Sequence, residues 1–153
     1  MARLSPALPL IGGGHTRFQP VYVKDVADAL ALLVAEPAGH ARTYELGGPE
    51  ILTFREILEL ILRETRRNRL LVPLPFGLAS VIGSIAGILP GAPITRDQVA
   101  LLRNDNVVSD AAVKEGRNIT ALGIDPAAIE AIVPTYLVRF RRYGEFDRSA
   151  AAS

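Results

Sequence analysis

Cysteine is absent from the 153 residues of this chain. That absence excludes disulfides, thiolate nucleophiles, cysteine-ligated zinc and iron–sulfur clusters, and it leaves the redox compartment undetermined. An excess of charge of either sign is lacking too, since 17 basic residues face 16 acidic ones for a formal net charge of +1. No overall field steers nucleic acid or anionic lipid to such a surface. The basic residues are nearly all arginine and read as scattered rather than striped along one face, so no nucleic-acid partner is expected. His15 and His40 are the two histidines, both in glycine-containing loops without metal-ligand spacing. They read as solvated loop residues, and no metal site is expected.

Catalytic signatures are equally scarce. There is no Gly-x-Ser-x-Gly elbow, no His-Glu-x-x-His helix and no P-loop. Gly12-Gly13-Gly14 matches the first two glycines of a dinucleotide fingerprint, but the third place falls on Arg17 and a strand follows instead of a helix. The triplet therefore reads as a turn between two strands. Carboxylate pairs such as Asp25 and Asp28 fall on helices, where capping and solvation account for them. No catalytic and no cofactor-binding residue is assigned. Pro6 and Pro9 interrupt the first residues too early for the apolar core of a signal peptide, so no export signal is read.

What is present is the composition of a soluble globular domain, with 49% hydrophobic and 22% charged residues. A chain of this length buries roughly two thirds of its unfolded surface. Pro9 to Gly14 reads as an apolar strand opening into a glycine turn, and Gln19 to Val23 as a second strand. Asp25 is the expected N-cap of a helix carrying Val26, Ala29, Leu30, Leu33 and Val34 at helical spacing and running to about Glu36. Thr43 to Leu46 is the next expected strand, closed by Gly47-Gly48-Pro49. Thr53-Phe54-Arg55-Glu56 is a capping box for a helix ending near Arg67. Arg69 to Leu74 is a third strand candidate, stopped by Pro75. Alternation of strands and helices points to parallel α/β units, with too few strands for a self-sufficient doubly wound sheet.

Beyond Pro75 the pattern turns helical. Leu70 to Thr95 contains no charged residue. Prolines divide it, leaving Phe76 to Leu89 as a continuous helix that rises about 21 Å, short of a roughly 30 Å hydrocarbon core. A buried helix with Gly83 and Gly87 at close-packing positions is expected rather than a membrane span, the alternative being a docking surface for a partner or a membrane interface. Thr95-Arg96-Asp97-Gln98 is a second capping box, opening a helix through about Arg103. Ser109 caps a short helix to Lys114. Asp125-Pro126 reads as a helix start, and Pro134 as the divide before a last helix from Thr135 to Arg142. The expected organisation is an α/β part over residues 1–75, a mainly helical lobe over 76–147, and a disordered tail over 148–153.

Two stretches, Thr16 to Ala27 and Thr43 to Pro49, resemble the back half of an atypical or extended short-chain dehydrogenase/reductase of the NAD-dependent epimerase/dehydratase type. Leu101 to Val108, Pro73-Leu74-Pro75 and Pro134-Thr135-Tyr136-Leu137, in the same order, make the chain look like the NAD(P)H-binding-like accessory subunits of respiratory complex I. The resemblance implies a fold of α/β class, a partial Rossmann-like parallel sheet made of its last strands, with covering helices and a C-terminal helical lobe. It implies that NAD(P)H is held by the full-length protein through an N-terminal Rossmann half outside these residues, and that this chain alone binds none. It implies complex I or another assembly as partner, a peripheral membrane contact, and a location that is cytoplasmic or peripheral at the inner membrane.

Reductases of the resembled superfamily use a tyrosine followed four residues later by a lysine, whose charge lowers the tyrosine pKa. The residues four places after Tyr22, Tyr44, Tyr136 and Tyr143 are Val26, Gly48, Phe140 and Asp147. The pair is missing, so no turnover is expected from this chain alone. Arg17 and Gln19 lie where the resembled enzymes point side chains into the substrate cleft. They are the candidate substrate-binding residues, the arginine able to fork two hydrogen bonds onto a phosphate or carboxylate.

Overall fold

Two strands 63 positions apart in sequence, Ala7–Ile11 (β1) and Leu70–Leu74 (β4), pair in parallel from Ala7↔Leu70 to Ile11↔Leu74 in the computed structural model, which describes residues 7–35, 42–86 and 95–141. Between them come a 3₁₀ turn (Gly12–Gly14), β2 (Arg17–Phe18), α1 (Val23–Ala35), β3 (Leu52–Thr53) and α2 (Phe54–Glu64). After β4 follow α3 (Phe76–Ala86), α4 (Arg96–Leu101), α5 (Asp110–Lys114) and α6 (Ile129–Leu137). The class is mixed α/β with a small parallel sheet and several helices, as the partial Rossmann-like reading requires. The described residues form two compact units. One takes residues 7–17, 53–86, 95–105 and 137–141, and the other 18–35, 42–52 and 106–136.

The first unit is built on apolar burial. Leu8, Leu10 and Ile11 of β1 are buried. Ile11 packs with Ala79 of α3 and Val99 of α4, joined by Leu74, Phe76 and Leu102. The glycine turn after β1 brings the backbone against this core. Gly12 has φ +61°, and a Cβ there would collide with the Phe76 ring, so glycine is required twice over. Pro9 and Pro73 each remove a ladder donor, which marks a sheet of edges rather than central strands. β4 leaves Leu70 73% and Val72 48% exposed.

Both capping boxes form. Thr53 accepts from the Glu56 N–H while the Glu56 carboxylate accepts from Thr53, and Thr95 and Gln98 do the same at α4. α2 ends at Glu64 and α4 at Leu101, each two or three residues short of expectation. At α3 the expectation of burial is half met. Ala79 is buried and Gly83 lies so close to α4 that a Cβ would sit 3.0 Å from the Arg96 nitrogen. Leu78, Val81 and Ile82 on the remainder of the helix are exposed. Gly87 lies outside the described residues. No helix among the described residues is long and apolar enough to cross a membrane.

The second unit departs further from the sequence pattern. Gln19 to Val23 is not a strand: the ladder stops at Phe18, Pro20 has no N–H to donate, and α1 already begins at Val23. Asp25 is not the N-cap. It lies in the first turn of α1, buried, and its carboxylate accepts from the Ala127 N–H at 2.8 Å. Thr43 to Leu46 reduces to one parallel bridge between Glu45 and Asn118. Asp125-Pro126 does not start a helix, and α6 opens four residues later at Ile129. Pro134 sits inside α6 rather than ending it, and the chain continues to Leu137 before tightening into a 3₁₀ turn.

Candidate functional site

Arg17 and Gln19 belong to different compact units and are taken one at a time. In the first unit, the Thr16 hydroxyl donates to the Leu102 carbonyl and the Thr16 carbonyl accepts from the Phe54 N–H at 2.8 Å. The chain is thereby fixed just before Arg17. The Arg17 backbone N–H and its Nε each donate to one oxygen of the Asp105 carboxylate, both at 2.8 Å. These contacts, the backbone one first, hold the Asp105 carboxyl below its ordinary value. The Arg17 side chain is 56% exposed. Asp105 thus sets the direction of a guanidinium whose terminal nitrogens stand in reach of solvent.

In the second unit Gln19 is fully engaged by backbone. Its Nε2 donates to the Gly48 carbonyl at 2.8 Å, its Oε1 accepts from the Val108 N–H at 2.9 Å, and its own N–H donates to the Asn106 carbonyl at 3.0 Å. One side chain therefore splices the Gly47-Gly48 turn to the segment before α5. The turn is tight enough that a Cβ on Gly48 would run into the Pro20 carbonyl. Nearby, the Glu45 carboxylate accepts from the Ser109 N–H at 2.7 Å and from its hydroxyl at 2.9 Å. Arg117 donates to the Thr43 carbonyl at 2.7 Å and pairs with Glu115.

Tyr22, which has Lys24 near it, is set up against proton transfer. The hydrogen bond between Tyr22 and Tyr136 raises the Tyr22 pKa, and the opposing influence of Lys24 is the weakest of those acting on it. Lys24 itself pairs with Asp28 at 2.6 Å. A proton-transfer tyrosine needs the reverse, a lowered pKa. Glu50 and Glu130 share a hydrogen bond that raises the Glu50 carboxyl above its ordinary value, and one Glu50 oxygen is buried without a partner. Among the described residues no group of three or more histidines or carboxylates is placed to hold a metal.

A further group escaped the sequence reading. Arg63, Arg66, Arg67 and Arg69, part of a scattered set along the sequence, line one open cavity of about 630 Å³ in the first unit. Four arginines within seven residues, Arg63 to Arg69, were the signal that could have found it.

No family model matches the chain. Over 147 residues it is 36% identical to the mitochondrial NADH dehydrogenase [ubiquinone] 1 alpha subcomplex subunit 9 of Arabidopsis thaliana, an alignment taking in 90% of this chain and 36% of that protein. The rat subunit of the same name is 30% identical over 139 residues, covering 90% of this chain and 36% of the relative. The mitochondrial NADH-ubiquinone oxidoreductase 40 kDa subunit of Neurospora crassa is 31% identical over 139 residues, with 88% and 35% covered. Over about nine tenths of its length the chain is similar to these NADH dehydrogenase subunits. It spans about a third of the length of these curated relatives. The order of motifs from Thr16 to Leu137 therefore carried a true resemblance. The cytoplasmic location expected above finds no support in these relatives, all three of which are mitochondrial proteins.

Proposed function

We propose that the chain is the C-terminal docking portion of an NAD(P)-binding, short-chain dehydrogenase-like accessory subunit of respiratory complex I, without turnover of its own. The carrying observation is the exposed β4 side of the parallel sheet of β1 and β4. Parallel sheets occur covered on both faces and flanked by further strands, yet Leu70 and Val72 are exposed here. Such a sheet calls for neighbours of the kind an N-terminal Rossmann half supplies, and NAD(P)H belongs to that half. The names of the relatives, mitochondrial NADH dehydrogenase subunits, support that assembly as the partner, and a peripheral contact at the inner membrane is part of the same proposal. The divide at residue 75 between an α/β part and a helical lobe is part of the same proposal. The raised Tyr22 pKa supports the absence of turnover.

Amide NMR spectra of the labelled chain with and without NADPH test the cofactor part, the expected result being no shift. Shifts centred on Arg17 would overturn it. Native electrophoresis of membranes from cells carrying a tagged chain tests the assembly part, with co-migration in an NADH-oxidising band expected and loss of the band's tag overturning it. A second reading, a substrate-recognition lobe of an epimerase or reductase, is favoured by Arg17, which Asp105 orients while leaving it exposed. A ligand would meet the Arg17 terminal nitrogens directly, but would reach Gln19 only by displacing the Gly48 carbonyl or the Val108 amide. Loss of ligand affinity in Arg17→Ala of a full-length protein would favour this reading.

A further inference from the structure

The end of α2 holds an arginine in a conformation that its own side chain disfavours. Arg66 has φ +52°, the only positive value outside glycine among the described residues. It follows the helix cap: the Arg67 N–H donates to the Leu62 carbonyl at 3.0 Å and the Arg66 N–H to the Arg63 carbonyl at 3.1 Å. That pair of bonds closes a helix through one left-handed residue, a place that glycine fills without steric penalty. Arg66 is exposed, and among the described residues its guanidinium makes no ion pair or hydrogen bond. Among the described residues the strain is therefore not offset by a hydrogen bond or ion pair of this side chain, which directs attention to a role outside folding. The helix dipole favours cations in the last turn, but any cation further back would satisfy it, as Arg63 does.

Arg66 does not act alone. Arg63, Arg67 and Arg69 line the same cavity of about 630 Å³, with Leu70 and Leu71, and Glu59 is the one acid among the lining residues. Several of these groups have partners already, and Arg69 donates to the Asn68 carbonyl at 3.5 Å. Glu59 lies 3.7 Å from Arg55 across one helical turn. Glu64 is shared by Arg63 at 3.8 Å and Arg141 at 3.5 Å. Arg67 donates to the Phe140 carbonyl at 3.3 Å. Four like charges gathered on one concave surface repel one another, and a multivalent anion would relieve that repulsion.

We propose that this cavity binds adjacent phosphate groups, supplied either by a soluble pyrophosphate-bearing molecule or by the headgroup of an anionic lipid. Planar guanidiniums fork onto phosphate oxygens. The volume lies in the range of ligand pockets and exceeds what a single phosphate fills.

Titration calorimetry of the full chain with sodium pyrophosphate at low salt is the first arm, and co-sedimentation with phosphatidylglycerol vesicles, against phosphatidylcholine vesicles, is the second. Arg66→Gly is the decisive variant because it removes the cation and the strain together, so its thermal midpoint should equal or exceed that of the parent. It should weaken binding about tenfold, the effect of one charge-assisted contact, whereas Arg96→Gln, outside the cavity, should leave it unchanged. Arg66-dependent binding of pyrophosphate assigns a soluble ligand, and Arg66-dependent binding to phosphatidylglycerol alone assigns a headgroup. Binding in neither arm, or binding that survives Arg66→Gly, overturns the proposal.

Discussion

The unit around β1, β4, α3 and α4 has the larger apolar core, whereas the unit containing α1, α5 and α6 buries the smaller set Ala29, Ala112 and Ile119 and adds a dense set of polar ties. In the first, Leu10 and Val99 are the large side chains buried almost completely, and Ile11, Ala79 and Phe76 pack with Val99. In the second, the long-range ties are side chain to backbone: Gln19 to Gly48 and Val108, Asp25 to Ala127, Glu45 to Ser109, and Arg117 to Thr43. Apolar burial is non-directional and scales with area, so it tolerates repacking. A hydrogen bond from a side chain to a buried amide is directional, and losing one partner strands the other. The two units should therefore fail in different ways.

The largest effect is expected where burial is complete. Leu10→Ala should lower unfolding free energy by about 2–5 kcal/mol, read by chemical denaturation, because the site leaves a cavity. Next comes Gln19→Leu, nearly the same in size, which strands the Val108 N–H and the Gly48 carbonyl and should cost about 1–3 kcal/mol. A cost below a few tenths would mean that water replaces both contacts and that the polar unit is not held this way. Smaller still, Thr53→Ala removes the cap of α2 and should cost about 1 kcal/mol, with helicity near the α2 start falling in hydrogen exchange.

The finest distinction is in pH dependence within the polar unit. Ser109, through its N–H and then its hydroxyl, holds the Glu45 carboxyl below the ordinary value of 4.5. A lowered carboxylate adds stability above 4.5 that fades as pH falls through its folded value. Glu50 is raised above 4.5, mainly by its hydrogen bond to Glu130, so its contribution is present below 4.5 and lost as pH rises through the folded value. Glu45→Gln should then lower, and Glu50→Gln raise, the thermal midpoint at neutral pH, and both differences should shrink on acidification. Parallel melting curves for the two variants across that range would remove the electrostatic half of the comparison.

Legibility followed the same division. Both capping boxes, β1, β4 and the Ser109 cap could be read directly, since each depends on residues adjacent in sequence or on a local apolar period. The misreadings cluster in the polar unit. Asp25 looked like a cap because it precedes an apolar periodic run, but a partner 102 positions away claims its carboxylate. Asp125-Pro126 looked like a helix start, but the Ala127 N–H that a cap there would satisfy is taken by Asp25. Thr43 to Leu46 has strand composition but finds only one bridge partner, in Asn118. For the candidate residues, position in the chain singled out Arg17 and Gln19, while their partners Asp105, Gly48 and Val108 were invisible. The arginine cavity was missed because charge was weighed over the whole chain rather than over seven residues.

By itself, then, the sequence determined the α/β class, the helix starts marked by Thr53, Thr95 and Ser109, the absence of thiol chemistry, and kinship with the NADH dehydrogenase subunits. All of these rest on local stereochemistry, on composition, or on the order of motifs along the chain. Tertiary structure alone decided that Gln19 and Asp25 act as splices, that α3 buries Ala79 and Gly83 while Leu78, Val81 and Ile82 stay exposed, and that Arg66 stands in a left-handed turn among three other arginines. A side chain's role is set by which donor, acceptor or charge comes within about 3 Å of it, and that proximity is a property of the folded chain.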